Sequence, residues 1–203
     1  DGARRPWEMP SGNFAATLLM RPACPPAEAA LRSFTAAVAL YQTLALMVEP
    51  SRLALKWPND VLLDEGKVAG ILLESGGQGP DSLWLAIGIG VNLVAAPPAA
   101  AVEDGARRPV AVDAAPHLRH SPEDTLTLVA SHFATLETLF QEFGFDPIRR
   151  LWLRHAARLG QEITARLPNE TLTGTFETVD ADGCLTLATD AGRRSLAAAD
   201  IFF

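Results

Sequence analysis

Between Arg52 and Ser75 the chain reads RLALKWPNDVLLDEGKVAGILLES. Three apolar, strand-like runs, residues 52–57, 61–63 and 67–75, are separated by two turn signals, Pro58-Asn59-Asp60 and Asp64-Glu65-Gly66. Two lysines sit in this frame. Lys56 stands between Leu55 and Trp57, and Lys67 opens the run Val68 to Leu73. A charge among strand-like runs costs free energy unless an anion or a partner residue meets it. Lys56, Lys67 and Asp60 therefore converge where chain reversals bring strand ends together, which is the layout of a small anion-binding site.

The rest of the chain supplies a scaffold for that corner. An apolar content of 48% over 203 residues supports a core, and a charged fraction of 20% argues against disorder. Asn13 to Met20 reads as a strand. Residues 27–48 read as one long, largely buried helix between Pro25-Pro26 and Pro50. Residues 83–93 form another strand, and 95–120 a long Ala/Pro-rich loop. Ser121-Pro122-Glu123-Asp124 is a strong helix start, with a capping serine, proline at the first position and acids in the first turn. That helix runs to Phe143, and Asp146-Pro147 opens another that ends near Gly160. Beyond Gly160 the pattern becomes short strands, 161–167, 171–179, 184–189 and 193–197, with tight turns between them. That spacing points to a small barrel. The boundary divides the chain into residues 1–158 and 159–203.

Several function classes are disfavoured. A net charge of −7 and a pI near 5.1 do not suit general nucleic-acid binding, which needs a basic face. Cys24 and Cys184 read as free thiols, so a reducing cytosolic setting is the default. No apolar run reaches the roughly 18 residues of a membrane span. The opening DGARRPWEMPSGN looks like mid-domain sequence rather than a signal peptide.

Further residues are candidates for chemistry. Gly88 and Gly90 lie two apart in a strand and so share a face. The bare face serves either a bulge or tight internal contact, or a flat ligand lying against the backbone. Asn92 follows on that face, as a strand-end turn residue or as an amide at the edge of such a slot. Lys67 is either a solvated turn lysine or a ligand contact. Lys56 either snorkels to water or meets an anion. Asp60 can cap its turn. Arg4 and Arg5 precede Trp7 and a turn ending at Gly12-Asn13; they form a basic terminus or a phosphate-holding loop. His117, His120, His132 and His155 show no metal-ligand spacing and read as loop or helix-surface residues. Neither cysteine lies in a nucleophile motif.

Lys56-Trp57-Pro58-Asn59-Asp60, then Lys67-Val68-Ala69-Gly70-Ile71-Leu72, then Gly88-Ile89-Gly90-Val91-Asn92-Leu93 resemble, in order and spacing, the catalytic core of biotin–protein ligases. Trp7, Gly12 and Asn13 fit the end of that family's basic Gly-rich loop, and the strand-rich tail fits its small C-terminal barrel. The resemblance implies an α+β fold: a mixed sheet with flanking helices, of the class II synthetase-like biotin/lipoate ligase type, plus an SH3-like barrel. Two departures stand out. Only Asp1-Gly2-Ala3-Arg4-Arg5-Pro6 represents the Gly/Arg loop, and the family's opening strand and helix, with a Ser-Thr pair, have no counterpart. The N-terminal part of the core therefore reads as missing, as does any DNA-binding winged helix.

The resemblance further implies an ATP-dependent ligase that forms biotinyl-5′-AMP and transfers biotin to a lysine of a biotin carboxyl carrier domain of acetyl-CoA carboxylase or a related carboxylase. Catalysis would fall to Lys67 and Asp60. Biotin would meet Lys67, Gly70, Gly88, Gly90 and Trp7, and the nucleotide would meet Arg4, Arg5, Trp7, Asn59, Asn92 and Lys67. ATP and biotin would be substrates, with Mg²⁺ expected, no protein-held metal cage, no DNA and no membrane partner. A cytoplasmic location is expected and a homodimer is left open. The alternatives are a lipoate or octanoate ligase or transferase of the same fold, and a non-catalytic biotin or biotinyl-AMP binding module.

Overall fold

The computed structural model describes residues 10–77, 82–98, 107–112 and 120–203. Arg4, Arg5, Trp7 and His117 lie outside the described residues. The elements run β1 (Phe14–Met20), α1 (Pro26–Ala30), α2 (Arg32–Leu44), β2 (Leu53–Lys56), β3 (Asp60–Leu63), β4 (Gly66–Gly76), β5 (Trp84–Val91), α3 (Pro122–Phe143), α4 (Phe145–Arg154), then β6 (Glu162–Arg166), β7 (Thr171–Val179), β8 (Leu185–Thr189), β9 (Gly192–Leu196) and β10 (Asp200–Phe202).

Short connections decide the pairing of the first sheet. Asp64 and Glu65 form a two-residue turn with φ of 48° and 62°. Positive φ at both positions suits the right-handed twist of the strands it joins. Arg52 holds Asp64 through paired guanidinium bonds, the shortest 2.5 Å. The resulting order is β1-β5-β4-β3-β2, with every neighbour antiparallel. The expected mixed sheet is thus an antiparallel one, because tight reversals rather than helical crossovers link β2, β3 and β4. The α+β class stands.

One face of this sheet carries large apolar side chains. Phe14, Leu55, Val61, Ile71, Leu85, Ile87, Ile89 and Val91 are all buried. Helices α2 and α3 pack against that side, and α4 packs on both of them and on β7. The single helix expected over 27–48 is broken at Leu31 and ends at Leu44. The third helix follows its cap signals: Ser121 accepts from Asp124 N while the Asp124 carboxylate accepts from Ser121 N. The fourth starts at Phe145, one residue earlier than the Asp-Pro pair suggested, with Gly144 as its N-cap.

Two features of the helix layer escaped the sequence. Arg32 and Glu137, 105 residues apart, form a buried pair at 2.9 Å, with Arg32 also over the Phe140 ring. Two histidines expected at the surface are half-buried and packed: His132 Nδ1 lies 3.0 Å from Thr43 Oγ1, and His155 stacks on Tyr41 at 3.9 Å. Burial lowers the His155 pKa.

The second sheet, β10-β6-β7-β8-β9, is also antiparallel. It buries Ile163, Phe176, Leu185, Leu187 and Ile201, and it includes a short last strand that the sequence pattern missed. Trp152 of α4 links the layers, lying 5.4 Å from Phe34 and 6.5 Å from Phe176. Cys24 and Cys184 are free thiols. Among the described residues, no helix is long and apolar enough to cross a membrane.

Removing one member of a buried ion pair strands the other charge, at a cost of about 3–5 kcal/mol. Arg32→Ala should therefore destabilise strongly in urea unfolding. Replacing both Arg32 and Glu137 by methionine should recover most of the loss.

Candidate active site

The face opposite the helices is built from small residues. Across the five strands the register sets Ala15 beside Gly90, Gly90 beside Gly70, Gly70 beside Asp60, and Asp60 beside Lys56. The next rank sets Thr17 beside Gly88 and Gly88 beside Leu72. These ranks form a trench of about 550 Å³, lined by Ala15, Thr17, Gly70, Leu72, Gly88 and Gly90 and closed at one end by Lys67. That volume lies within the range of small-molecule sites. The sequence picked out the glycines. It missed Ala15 and Thr17, whose two-residue spacing in β1 was the available signal.

Lys67 reaches this face through an irregularity. Residues 67 and 70 are three apart, so strict alternation would put them on opposite faces. The β3–β4 ladder shifts register, pairing Val61 with Ala69 but Leu62 with Lys67. Val68 is the extra residue of a β-bulge. Lys67 and Gly70 then share a face so closely that a Cβ on Gly70 would lie 3.2 Å from Lys67 Cε and Nζ.

The expected convergence of charges is present. Lys67 Nζ lies 2.6 Å from Asp60 Oδ1, and Lys56 Nζ lies 3.8 Å from Asp60 Oδ2. The closer contact is an ion pair rather than an aligned hydrogen bond, since Oδ1 has no hydrogen-bond partner in the described residues. Lys56 and Asp60 are mostly buried, while Lys67 is 38% exposed and faces the trench. Burial pulls the Lys56 pKa down. Asp60 opposes that effect, and Lys67 and Arg107 add to it.

Other motif residues brace the site. Asn59 Nδ2 donates to the Ile71 carbonyl at 2.6 Å, and Ile71 N donates back to Asn59 O. Trp57 is buried, and its Nε1 donates to Gly183 O in the β7–β8 turn. Asn13 Oδ1 accepts from Val94 N and Ala95 N, tying the start of β1 to the chain leaving β5. Asn92 is 4% exposed. Its Nδ2 donates to Val110 O, while its Oδ1 has no partner among the described residues.

Within the expected loop 95–120, residues 107–112 form a strap. Lys67 N donates to Arg108 O, Val110 N to Lys67 O, and Val112 N to Asn92 O. A loop without periodicity gave no sign of this pairing.

Residues 2–92 match the biotin/lipoate A/B protein ligase family, and residues 159–203 match the biotin protein ligase C-terminal domain. A biotin–[acetyl-CoA-carboxylase] ligase of Paracoccus denitrificans is 51% identical over 98% of this chain and 83% of its own length. The chain belongs to the biotin–protein ligase family. Within that family, the bifunctional ligase/repressor BirA of Bacillus subtilis is 28% identical, and this chain matches 60% of its length. Among solved structures, the biotin protein ligase of Aquifex aeolicus in complex with biotin and ATP superposes with a TM-score of 0.72 at 20% identity. The superposition covers 97% of this chain and 80% of that one, and it shows a shared fold.

The lowered Lys56 pKa has a stability consequence. Between the folded value and the ordinary lysine value of about 10.4, the unfolded chain binds more protons than the folded one, so folding gains stability as pH rises. Below that window the penalty for a buried ammonium applies in full. Compared by urea unfolding at several pH values, wild type should gain on Lys56→Met as pH rises through the window. A difference flat in pH would refute a buried, charged Lys56.

Proposed function

We propose that this chain is a biotin–protein ligase that activates biotin with ATP and passes it to a lysine of a carboxyl carrier domain of acetyl-CoA carboxylase or a related enzyme. The observation that carries this reading is a glycine-floored trench that ends at Lys67, Asp60 and Lys56. An apolar slot closed by one exposed cation, Lys67, with the Asp60–Lys56 pair behind it, suits a flat, carboxylate-tipped molecule. The 51% identity to a biotin ligase and the match of residues 159–203 to the biotin protein ligase C-terminal domain support biotin over lipoate. We take residues 1–158 as the ligase core and 159–203 as a C-terminal unit.

Biotin's fused rings would lie on Gly88 and Gly90, with the carboxylate toward Lys67. In the first step a carboxylate oxygen attacks the α-phosphorus of ATP, forming the acyl–phosphate bond and expelling pyrophosphate. Lys67 would offset charge growing between the two anionic reactants, the kind of preorganised stabilisation that works best away from water. Holding the two reactants together removes much of the entropic barrier. In the second step the carrier lysine's amine attacks the acyl carbon and AMP leaves. Asp60 would orient that amine and accept its proton. Asn59 and Asn92 would flank the nucleotide, joined by Arg4, Arg5 and Trp7, which precede β1 in the sequence.

Mg²⁺ would offset charge on the departing pyrophosphate. Among the described residues, no three His, Cys, Asp or Glu side chains gather around a point. Such an ion is expected to arrive on the substrate's own phosphates.

Incubation with ATP, labelled biotin and a carrier domain tests the proposal: an enzyme transfers label, and a binding module only retains it. Lys67→Ala should slow ATP–pyrophosphate exchange by about a hundredfold or more, the scale of losing one charge-stabilising donor. Its melting should stay near wild type, since Asp60 keeps Lys56. Exchange at the wild-type rate would remove Lys67 from the mechanism.

Gly88→Val tests the trench. A Cβ there meets only Leu72 O at 3.6 Å and Leu72 Cβ at 3.9 Å, ordinary contacts. Valine also suits a strand better than glycine. Thermal stability should hold or rise while biotin affinity, read by calorimetry, falls by about 1–3 kcal/mol. Normal biotin binding in the variant would place the pocket elsewhere.

A further inference from the structure

Outside the trench, two arginines face one aromatic ring and share one carboxylate. Arg107 donates to the Phe203 carbonyl oxygen and lays its guanidinium over the Phe203 ring at 3.9 Å. Arg158, in the connection between α4 and β6, approaches the same ring to 5.0 Å. Both arginines share one carboxylate, Glu65 of the β3–β4 turn, at 2.6 Å for Arg158 and 3.8 Å for Arg107. That carboxylate offsets the repulsion of two guanidinium groups and lets both face the ring. Four separate parts of the chain are joined here: the turn before Lys67, the strap, the α4–β6 connection, and the end of the second sheet.

The strap carries this contact to the site. Lys67 N donates to Arg108 O at 2.9 Å, and Val110 N donates to Lys67 O at 3.0 Å. Both backbone polar groups of Lys67 are held by the strap. The approach is close: a Cβ on Gly66 would lie 2.4 Å from Val110 Cγ1 and 3.0 Å from Arg108 O. The other end of the strap is fixed by Asn92. Its first residue, Arg107, is fixed by Phe203 and Glu65.

We propose that Phe203, Arg107, Glu65 and Arg158 form a latch through which the second sheet positions Lys67. None of the four lines the trench, so they are positioning residues that act through the strap's hydrogen bonds. The effect on rate rests on the ligase reading above, whereas the latch itself does not. The flat ring is essential, because a guanidinium stacks on an aromatic face and gains much less from an aliphatic side chain.

Residue-resolved hydrogen exchange on the full chain tests the latch without reference to activity. In Phe203→Ala, the Lys67 and Val110 amides should exchange about tenfold faster, the scale of a lost partly buried cation–π contact. Phe203→Trp should restore protection, and Phe203→Leu should behave like the alanine variant. Gly66→Ala, which lifts the strap from the other side, should expose the same two amides with the ring intact. In the ligase assay, the variants with a loosened strap should lose kcat for pyrophosphate exchange, with KM for biotin nearly unchanged and tryptophan restoring the rate.

Unchanged exchange at Lys67 and Val110 in Phe203→Ala would overturn the latch. A uniform rise that included the buried strand β5 would also overturn it, since Phe203 would then serve global stability. A local rise with unchanged kcat in both Phe203→Ala and Gly66→Ala would overturn the positioning of Lys67. A local rise in a chain with no ligase activity would uphold the latch and reject the ligase reading instead.

Discussion

The site depends on strand register. Ala15, Gly90, Gly70, Asp60 and Lys56 fall in one line only because four antiparallel ladders are each set at one pairing. A slip of one residue on any strand would turn its outward residues to the core face. On β5 that slip would push Ile87 and Ile89 into the trench and bring Gly88 and Gly90 under the helices. The apolar inner face therefore fixes the outer one. Burying Ile87, Ile89 and Val91 against the helices, at roughly 1.5–3 kcal/mol for each such side chain, also keeps the glycines in line.

Charge at the end of the trench follows from the same line. Two lysines and one carboxylate leave a net single positive charge beside an apolar slot. Asp60 limits the repulsion between the lysines, and the remaining charge favours an incoming anion. The three groups are not equivalent. Lys56 is mostly buried and Lys67 is the more exposed. Lys56 thus reads as the inner support of Asp60, and Lys67 as the cation that meets ligand.

Much of this was legible in the sequence. Pro58-Asn59-Asp60 and Asp64-Glu65-Gly66 marked the reversals, the two-residue spacing of Gly88 and Gly90 marked a bare face, and Ser121 to Asp124 marked a capped helix. What was not legible required information from elsewhere in the chain. The face of Lys67 depends on a bulge at Val68, and alternation alone gives the wrong side. Segment 107–112 has no periodicity, because it pairs only at its edges with Lys67 and Asn92. The Arg32–Glu137 pair joins residues far apart, and each alone reads as a surface charge. The strand Asp200–Phe202 is too short for a pattern and exists because β6 offers it an edge.

The motif Lys56-Trp57-Pro58-Asn59-Asp60 divides its work by direction. Lys56 and Asp60 face the trench line, whereas Trp57 is buried and bonded to Gly183 of the β7–β8 turn. Gly183 has a φ of 80°, and a Cβ there would meet Leu31 and Phe34 at about 3 Å. Only a residue without a side chain lets that turn approach α2 so closely. The indole thus meets a carbonyl whose position is set by contact with the helix layer. Asn59 adds a third direction, tying the corner to Ile71 of β4. The motif holds two charges in place by anchoring the corner to β4 through Asn59 and to the β7–β8 turn through Trp57. Those two anchors constrain Trp57 and Asn59 although neither carries charge toward the trench.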